Sequence, residues 1–138
     1  MITVRQLLAR KGHGIRHIDP EASVLDALRV MAEWDVGALV VLREGDLVGL
    51  VSERDYARKL VLMARSPTDT LLGDIMSSPV MYVRPDQTSD ECMALMTQNR
   101  MRHLPVMDGG QLIGLISIGD LVKATISEQQ FIIEQLEH

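Results

Sequence analysis

Gly49-Leu50-Val51-Ser52-Glu53-Arg54-Asp55 returns 65 residues later as Gly114-Leu115-Ile116-Ser117-Ile118-Gly119-Asp120. Glycine, serine and aspartate keep their spacing while the residues between them change, which is the mark of a duplicated structural unit. Outward from this stretch, residues 18–60 align with 83–125 without a gap. Identical pairs include Pro20/Pro85, Met31/Met96, Leu39/Leu104 and Val41/Val106. Most of the others keep apolar character, as in Ile18/Val83 and Leu28/Met93.

Each copy reads as the same run of elements. Ser23 with Asp26, and Thr88 with Glu91, look like helix starts in which a hydroxyl caps the first turn. Val24, Ala27, Leu28, Met31 and Trp34 recur at helical spacing, as do Cys92, Leu95 and Met96. Two short apolar runs follow, 38–42 and 47–51 in the first copy, 104–107 and 112–116 in the second. The polar turns between them carry glycine, so each pair reads as a hairpin. A second helix starts after Ser52 and after Ser117. A first strand is expected around 16–18 and 81–83.

The fold class is therefore α/β (α+β), two tandem β-α-β-β-α repeats. A unit of about 60 residues buries only about 60 % of its unfolded surface, so the two are expected to pack together with pseudo-two-fold symmetry. The expected division is 1–65 for the first repeat with its leader, 66–126 for the second and 127–138 for a C-terminal helix, together forming one module. The leader Leu7-Leu8 resembles Ile75-Met76, with a length difference before Ile18. Residues 65–70, with Ser66-Pro67-Thr68-Asp69, read as a linker. In the C-terminal helix, Phe131, Ile132 and Leu136 need a partner surface.

Composition narrows the function. The chain has 138 residues, 46 % hydrophobic and 24 % charged, with a formal charge of −5. A net-acidic chain binds nucleic acid only through a local basic patch, and the 3 % aromatic content offers little stacking platform. No apolar run approaches a membrane span, and the N-terminus has no signal-peptide core, so a cytoplasmic protein is expected. Cys92 is alone and sits among apolar neighbours, which fits a buried structural thiol. His13 and His17 are four apart, but His13 lies between Gly12 and Gly14, a poor helix, and no cysteine or carboxylate cluster joins them, so no metal is expected. No nucleophile–base arrangement or phosphate-loop motif is present. The nine methionines follow helical stripes and read as core.

The paired heptapeptides resemble the Gly-x-x-Ser/Thr-x-x-Asp signature of CBS (cystathionine-β-synthase-type) domains, and Met101-Arg102-His103-Leu104-Pro105-Val106 resembles the segment before their second strand. The likeness runs from about Val4 to about Thr125 and is that of a stand-alone CBS pair, or Bateman module. It implies a regulatory sensor, not an enzyme. It also implies clefts between the repeats that bind AMP, ADP, ATP, NAD or S-adenosylmethionine, with no catalytic cofactor, and assembly into a homodimer.

The residues give that expectation a chemistry. A carboxylate accepts both hydroxyls of a ribose diol, which suits Asp55 and Asp120. Ser52 and Ser117 stand at helix starts, where backbone N–H groups favour phosphate, and Arg54 adds a cation there. Arg58, one turn on, reaches a terminal phosphate or simply faces solvent. The family pattern offers Ile18, Val36, Val83, Met101 and Leu104 as aliphatic walls for an adenine. His103 touches a phosphate or points to solvent. The same Ser-x-x-Asp spacing equally describes a helix cap, and the two roles are compatible.

The copies differ where charge matters. The resemblance also makes Gly37, Ala38, Arg102, Pro105 and Gly119 ligand-binding candidates; Arg54 is matched by Gly119, Arg102 and His103 by Gly37 and Ala38, and Pro105 by Val40. Two unequal clefts are expected. The competing reading is a ligand-free homodimeric scaffold. Nucleic-acid binding through Arg100, Arg102 and Lys123 is disfavoured by the acidic balance, and an effector protein is expected among the partners.

Overall fold

In a computed structural model, residues 1–137 are described. The chain forms two compact units, one of residues 15–80, the other of residues 1–14 together with 81–138. The elements are α1 (Val4–Lys11), β1 (His17–Ile18), α2 (Val24–Trp34), β2 (Ala38–Arg43), β3 (Asp46–Ser52), α3 (Glu53–Asp55), α4 (Ser89–Asn99), β4 (His103–Asp108), β5 (Gln111–Ser117) and α5 (Ile118–Glu137). A π-helical stretch, Tyr56–Val61, continues α3, and Leu72–Asp74 makes one 3₁₀ turn.

In the unit of residues 15–80, β1 runs parallel to β2 and β3 is antiparallel to it. The hairpin turns on Glu44 and Gly45, both at positive φ, as a two-residue turn matching strand twist requires. Ser23 accepts a hydrogen bond from the Asp26 amide and starts α2. Leu39, Val41, Val51, Leu60 and Leu72 fill the core under it. The other unit repeats the plan. Thr88 caps α4, β4 pairs with β5, and Leu104, Val106, Ile116 and Leu121 are fully buried.

Three sequence expectations change. The first strand of the second copy is a single parallel bridge, Val83 to Val106, because Val83 alone exchanges hydrogen bonds with Pro105 and Met107. The C-terminal helix does not begin at Ser127; α5 runs unbroken from Ile118, since no glycine or proline follows Gly119 to stop it. Residues 65–70 are not a slack linker. The Pro67 and Thr70 carbonyls accept from Leu25 and Val24, and Thr70 is buried.

The leaders are exchanged between the repeats. The Val24 amide donates to Thr70 and the Ser89 amide to Ile2; Leu72 donates to Ala22 and Val4 to Gln87. These are equivalent bonds, with the bodies matching at 65 residues (24 to 89) and the leaders at 68 (2 to 70). Thus the leader ahead of the first repeat packs on the second, and the segment between the repeats packs on the first. Gly49 and Gly114 receive them. A Cβ on Gly114 would lie 2.5 Å from Leu8 Cδ2, and one on Gly49 would strike Met76 Sδ.

Cys92 lies fully buried in this second core, and burial, with the charge of Glu91 adding to it, pushes its thiol up to about 11. Thiolate is the reactive form, so the native protein at pH 8 is expected to resist a thiol-labelling reagent that modifies the urea-unfolded chain at once. Labelling of the native chain at the free-thiol rate would contradict this packing.

Candidate functional site

In both units the duplicated Ser-x-x-Asp sits where the last strand turns into its helix. In the unit holding α5, the Ser117 amide donates to Asp120 Oδ2 at 2.7 Å, and the Asp120 amide donates to Ser117 Oγ at 3.2 Å. Two orphan donors of the first turn are thereby satisfied. Ser117 pairs with His103 across the hairpin, and the Ile118 amide donates to the Arg102 carbonyl. Arg102, His103, Ser117, Gly119 and Asp120 therefore share one edge of the unit.

A residue the sequence did not announce completes that edge. Lys11, at the end of α1, donates through Nζ to Asp120 Oδ2 and to the Leu115 carbonyl, both at 2.7 Å. Asp120 is held below the ordinary aspartate range. Burial alone pushes it up, but the bonds from Lys11 and Ser117 together outweigh that. Among the described residues Asp120 Oδ1 accepts no hydrogen bond, and the side chain stays 20 % exposed. His103 is neither a free cation nor a solvent-facing ring. Burial first, then the charges of Lys11 and Arg102, lower its pKa, with Asp120 acting the other way. A neutral imidazole at this edge gives hydrogen bonding without charge.

The first-repeat edge has the same frame with different occupants. The Ser52 amide donates to Asp55 Oδ2 at 2.9 Å, and the Asp55 amide to Ser52 Oγ at 3.4 Å. Ala38 pairs with Ser52, and the Glu53 amide donates to the Gly37 carbonyl. Lys59, not Arg58, reaches the carboxylate, with Nζ 3.0 Å from Oδ1 and 3.0 Å from the Ile75 carbonyl. Ser77 Oγ donates to the same oxygen at 3.4 Å. Both Asp55 oxygens are thus engaged, and its side chain is only 12 % exposed. Arg54 and Arg58 are exposed on the helical turn beyond.

The aliphatic candidates divide by burial. Ala38, Val83, Leu104 and Pro105 are buried in their units and present little surface to a ring. Ile18, Val36 and Met101 are half-buried and keep surface for that role. The helix starts are already capped by their own aspartates, so the capping reading of Ser52 and Ser117 holds in this structure. Sequence reasoning missed Lys11, Lys59 and Ser77. The Leu7-Leu8 likeness to Ile75-Met76 was the signal, and followed across the repeats it leads to Lys11 and Ser77.

The family model for the CBS domain matches residues 2–62 and 72–127. The chain is similar to CBS domain-containing protein CBSX3, mitochondrial, of Arabidopsis thaliana, 40 % identical over 119 residues, 83 % of this chain and 58 % of that protein. It thus spans little more than half the length of that relative. It is also similar to CBS domain-containing protein YhcV of Bacillus subtilis, 28 % identical, covering 81 % and 79 % of the two chains. A solved structure of a protein with CBS domains from Burkholderia ambifaria superimposes with a TM-score of 0.89 at 54 % identity, over 92 % of this chain and 96 % of that one. The CBS domain pair of protein MJ0100, solved in complex with 5′-methylthioadenosine and S-adenosyl-L-methionine, shares the fold at a TM-score of 0.81 and 18 % identity, over 93 % and 98 %.

Proposed function

The chain belongs to the CBS-domain family, whose paired domains are regulatory, and from that premise we propose that it binds an adenosine-containing ligand at the carboxylate edge of its units. AMP, ADP, ATP, NAD and S-adenosylmethionine are the candidates. The observation that carries the reading is the Asp120 carboxylate, fixed by Ser117 and Lys11 through one oxygen while the other accepts nothing among the described residues. A carboxylate oxygen so placed accepts a sugar hydroxyl, and a hydrogen bond to a charged group contributes about 1.5–3 kcal/mol. Asp55, with both oxygens engaged, is the weaker acceptor. The two sites are therefore unequal.

A thermal-shift and calorimetry panel of the five ligands tests this. A ligand at about 100 times its Kd stabilises by about 2.7 kcal/mol, which is several degrees of melting shift. One stronger and one weaker or silent site is the expected isotherm. No shift with any of the five at millimolar levels would remove the reading and leave the scaffold.

Pairing with a second copy belongs to the same proposal. Ile118, Val122, Ile126, Ile133 and Leu136 are exposed on α5, and their spacing places them on one stripe. Exposed apolar stripes of this length mark association surfaces. Ile126→Asp is expected to turn a dimer into a monomer in light scattering without lowering the melting midpoint of the monomer. A wild-type chain that is monomeric at about 50 μM, a concentration at which a micromolar dimer is formed, would count against it. No helix among the described residues is long and apolar enough to cross a membrane.

A further inference from the structure

Beside Asp120, within the same unit, lies a hollow of about 290 Å³ between α1 and α5. Leu7 and Ala124 line it, together with Arg10, Lys11, Lys123, Asp120 and Ser127. Three cations and one carboxylate make its lining +2 (3 − 1) on a chain of formal charge −5. Asp120, Lys123 and Ser127 are three and four residues apart and so share one face of α5, and Arg10 and Lys11 form the basic last turn of α1. From Asp120 to Ser127 is seven residues, roughly 10 Å of helix. That length takes more than one phosphoryl group.

The repeat shows why the hollow is here. Ala124 stands where the first repeat has Lys59, and Lys123 where it has Arg58. A small side chain leaves the space, and the lysine that pairs with the aspartate comes from α1 instead. An ammonium has three donors; Lys11 spends two on Asp120 and Leu115, which leaves one for an anion.

We propose that this hollow takes the phosphoryl chain of a nucleoside di- or triphosphate whose sugar is held at Asp120, so that this unit prefers polyphosphate to monophosphate. The inference rests on the carboxylate-edge reading above. The direction follows from charge. Phosphate is repelled by Asp120 and drawn to Lys123, Ser127 and Arg10, while the sugar hydroxyls take the carboxylate end.

Calorimetry on the full chain with AMP, ATP and inorganic tripolyphosphate, in wild type, Lys123→Gln and Arg10→Gln, tests it. ATP is expected to bind at least about tenfold more tightly than AMP. Each variant should weaken ATP about tenfold, the weight of one charge-assisted bond, and AMP less than about twofold, with unchanged melting since both residues are exposed. Equal affinities for AMP and ATP, or variants that weaken both alike, would overturn the inference. If no nucleoside binds, the carboxylate-edge reading has failed and tripolyphosphate alone decides. Binding that Lys123→Gln weakens about tenfold keeps a phosphate site there, and no binding removes it. A single-stranded oligonucleotide that binds more tightly than ATP also overturns it.

Discussion

Leu8→Ala is expected to destabilise the protein by about 3 kcal/mol, lowering its melting midpoint by roughly 10 °C. Leu8 is fully buried and packs onto Gly114 in the unit formed by residues 1–14 and 81–138. Truncation opens a cavity where a rigid strand on one side and a helix on the other resist collapse. Gly114→Ala presses on the same spot from the other side, since its Cβ would meet Leu8 at 2.5 Å, and should cost about 2 kcal/mol by overpacking. The double variant is the informative measurement. The new methyl enters the space that Leu8 vacates, so the combined loss should fall short of the sum by at least about 1 kcal/mol. Losses that add to within about 0.5 kcal/mol, measured by urea unfolding, would mean that Leu8 does not sit on Gly114.

Asp120→Asn is expected to weaken adenosyl-ligand binding by about 2 kcal/mol, roughly 30-fold, while Asp55→Asn alters mainly the weaker site. Asparagine keeps an oxygen for the Ser117 amide, so the turn survives. It loses the charge that pairs with Lys11 at 2.7 Å and that a diol would meet. The pH dependence separates the two effects. Asp120 is held below the ordinary aspartate range in the folded protein, so its contribution to stability is present above the unfolded value. That contribution is lost as pH falls through the lower folded value. The stability difference between wild type and Asp120→Asn should therefore shrink on acidification below about pH 4. Unchanged ligand affinity in Asp120→Asn, with the fold intact, would remove the carboxylate from the site.

The repeated bodies were legible because both kinds of periodicity are local. The caps at Ser23 and Thr88, the hairpins and the buried runs fall where residues a few positions apart dictate them. The exchange of leaders was not legible, because Leu7-Leu8 and Ile75-Met76 carry apolar character but no mark of which surface receives them. Gly49 and Gly114 leave room for a leader in each unit, but as the same residue at equivalent positions they do not announce which leader each receives. The site was half legible for the same reason. Ser117 and Asp120 are three apart and announce themselves, whereas Lys11 reaches Asp120 across more than a hundred residues. The separate helix expected at 127–138 is instead the second half of α5, because nothing between Gly119 and Ser127 breaks the helix.

Vectorial synthesis gives the leader exchange an unequal schedule. Residues 15–80 hold every segment of their unit, so all of its parts have been made while the ribosome is still translating the rest. Residues 1–14 are made before the surface that receives them and are used last, because that surface is not finished until α5 has been made. At about 5–20 residues per second that leaves Leu7 and Leu8 without their partners for on the order of ten seconds. A nascent chain stalled before Gly114 would carry one complete set of segments and one amphipathic segment, residues 1–14, without its receiving surface, the form in which a holdase would meet it.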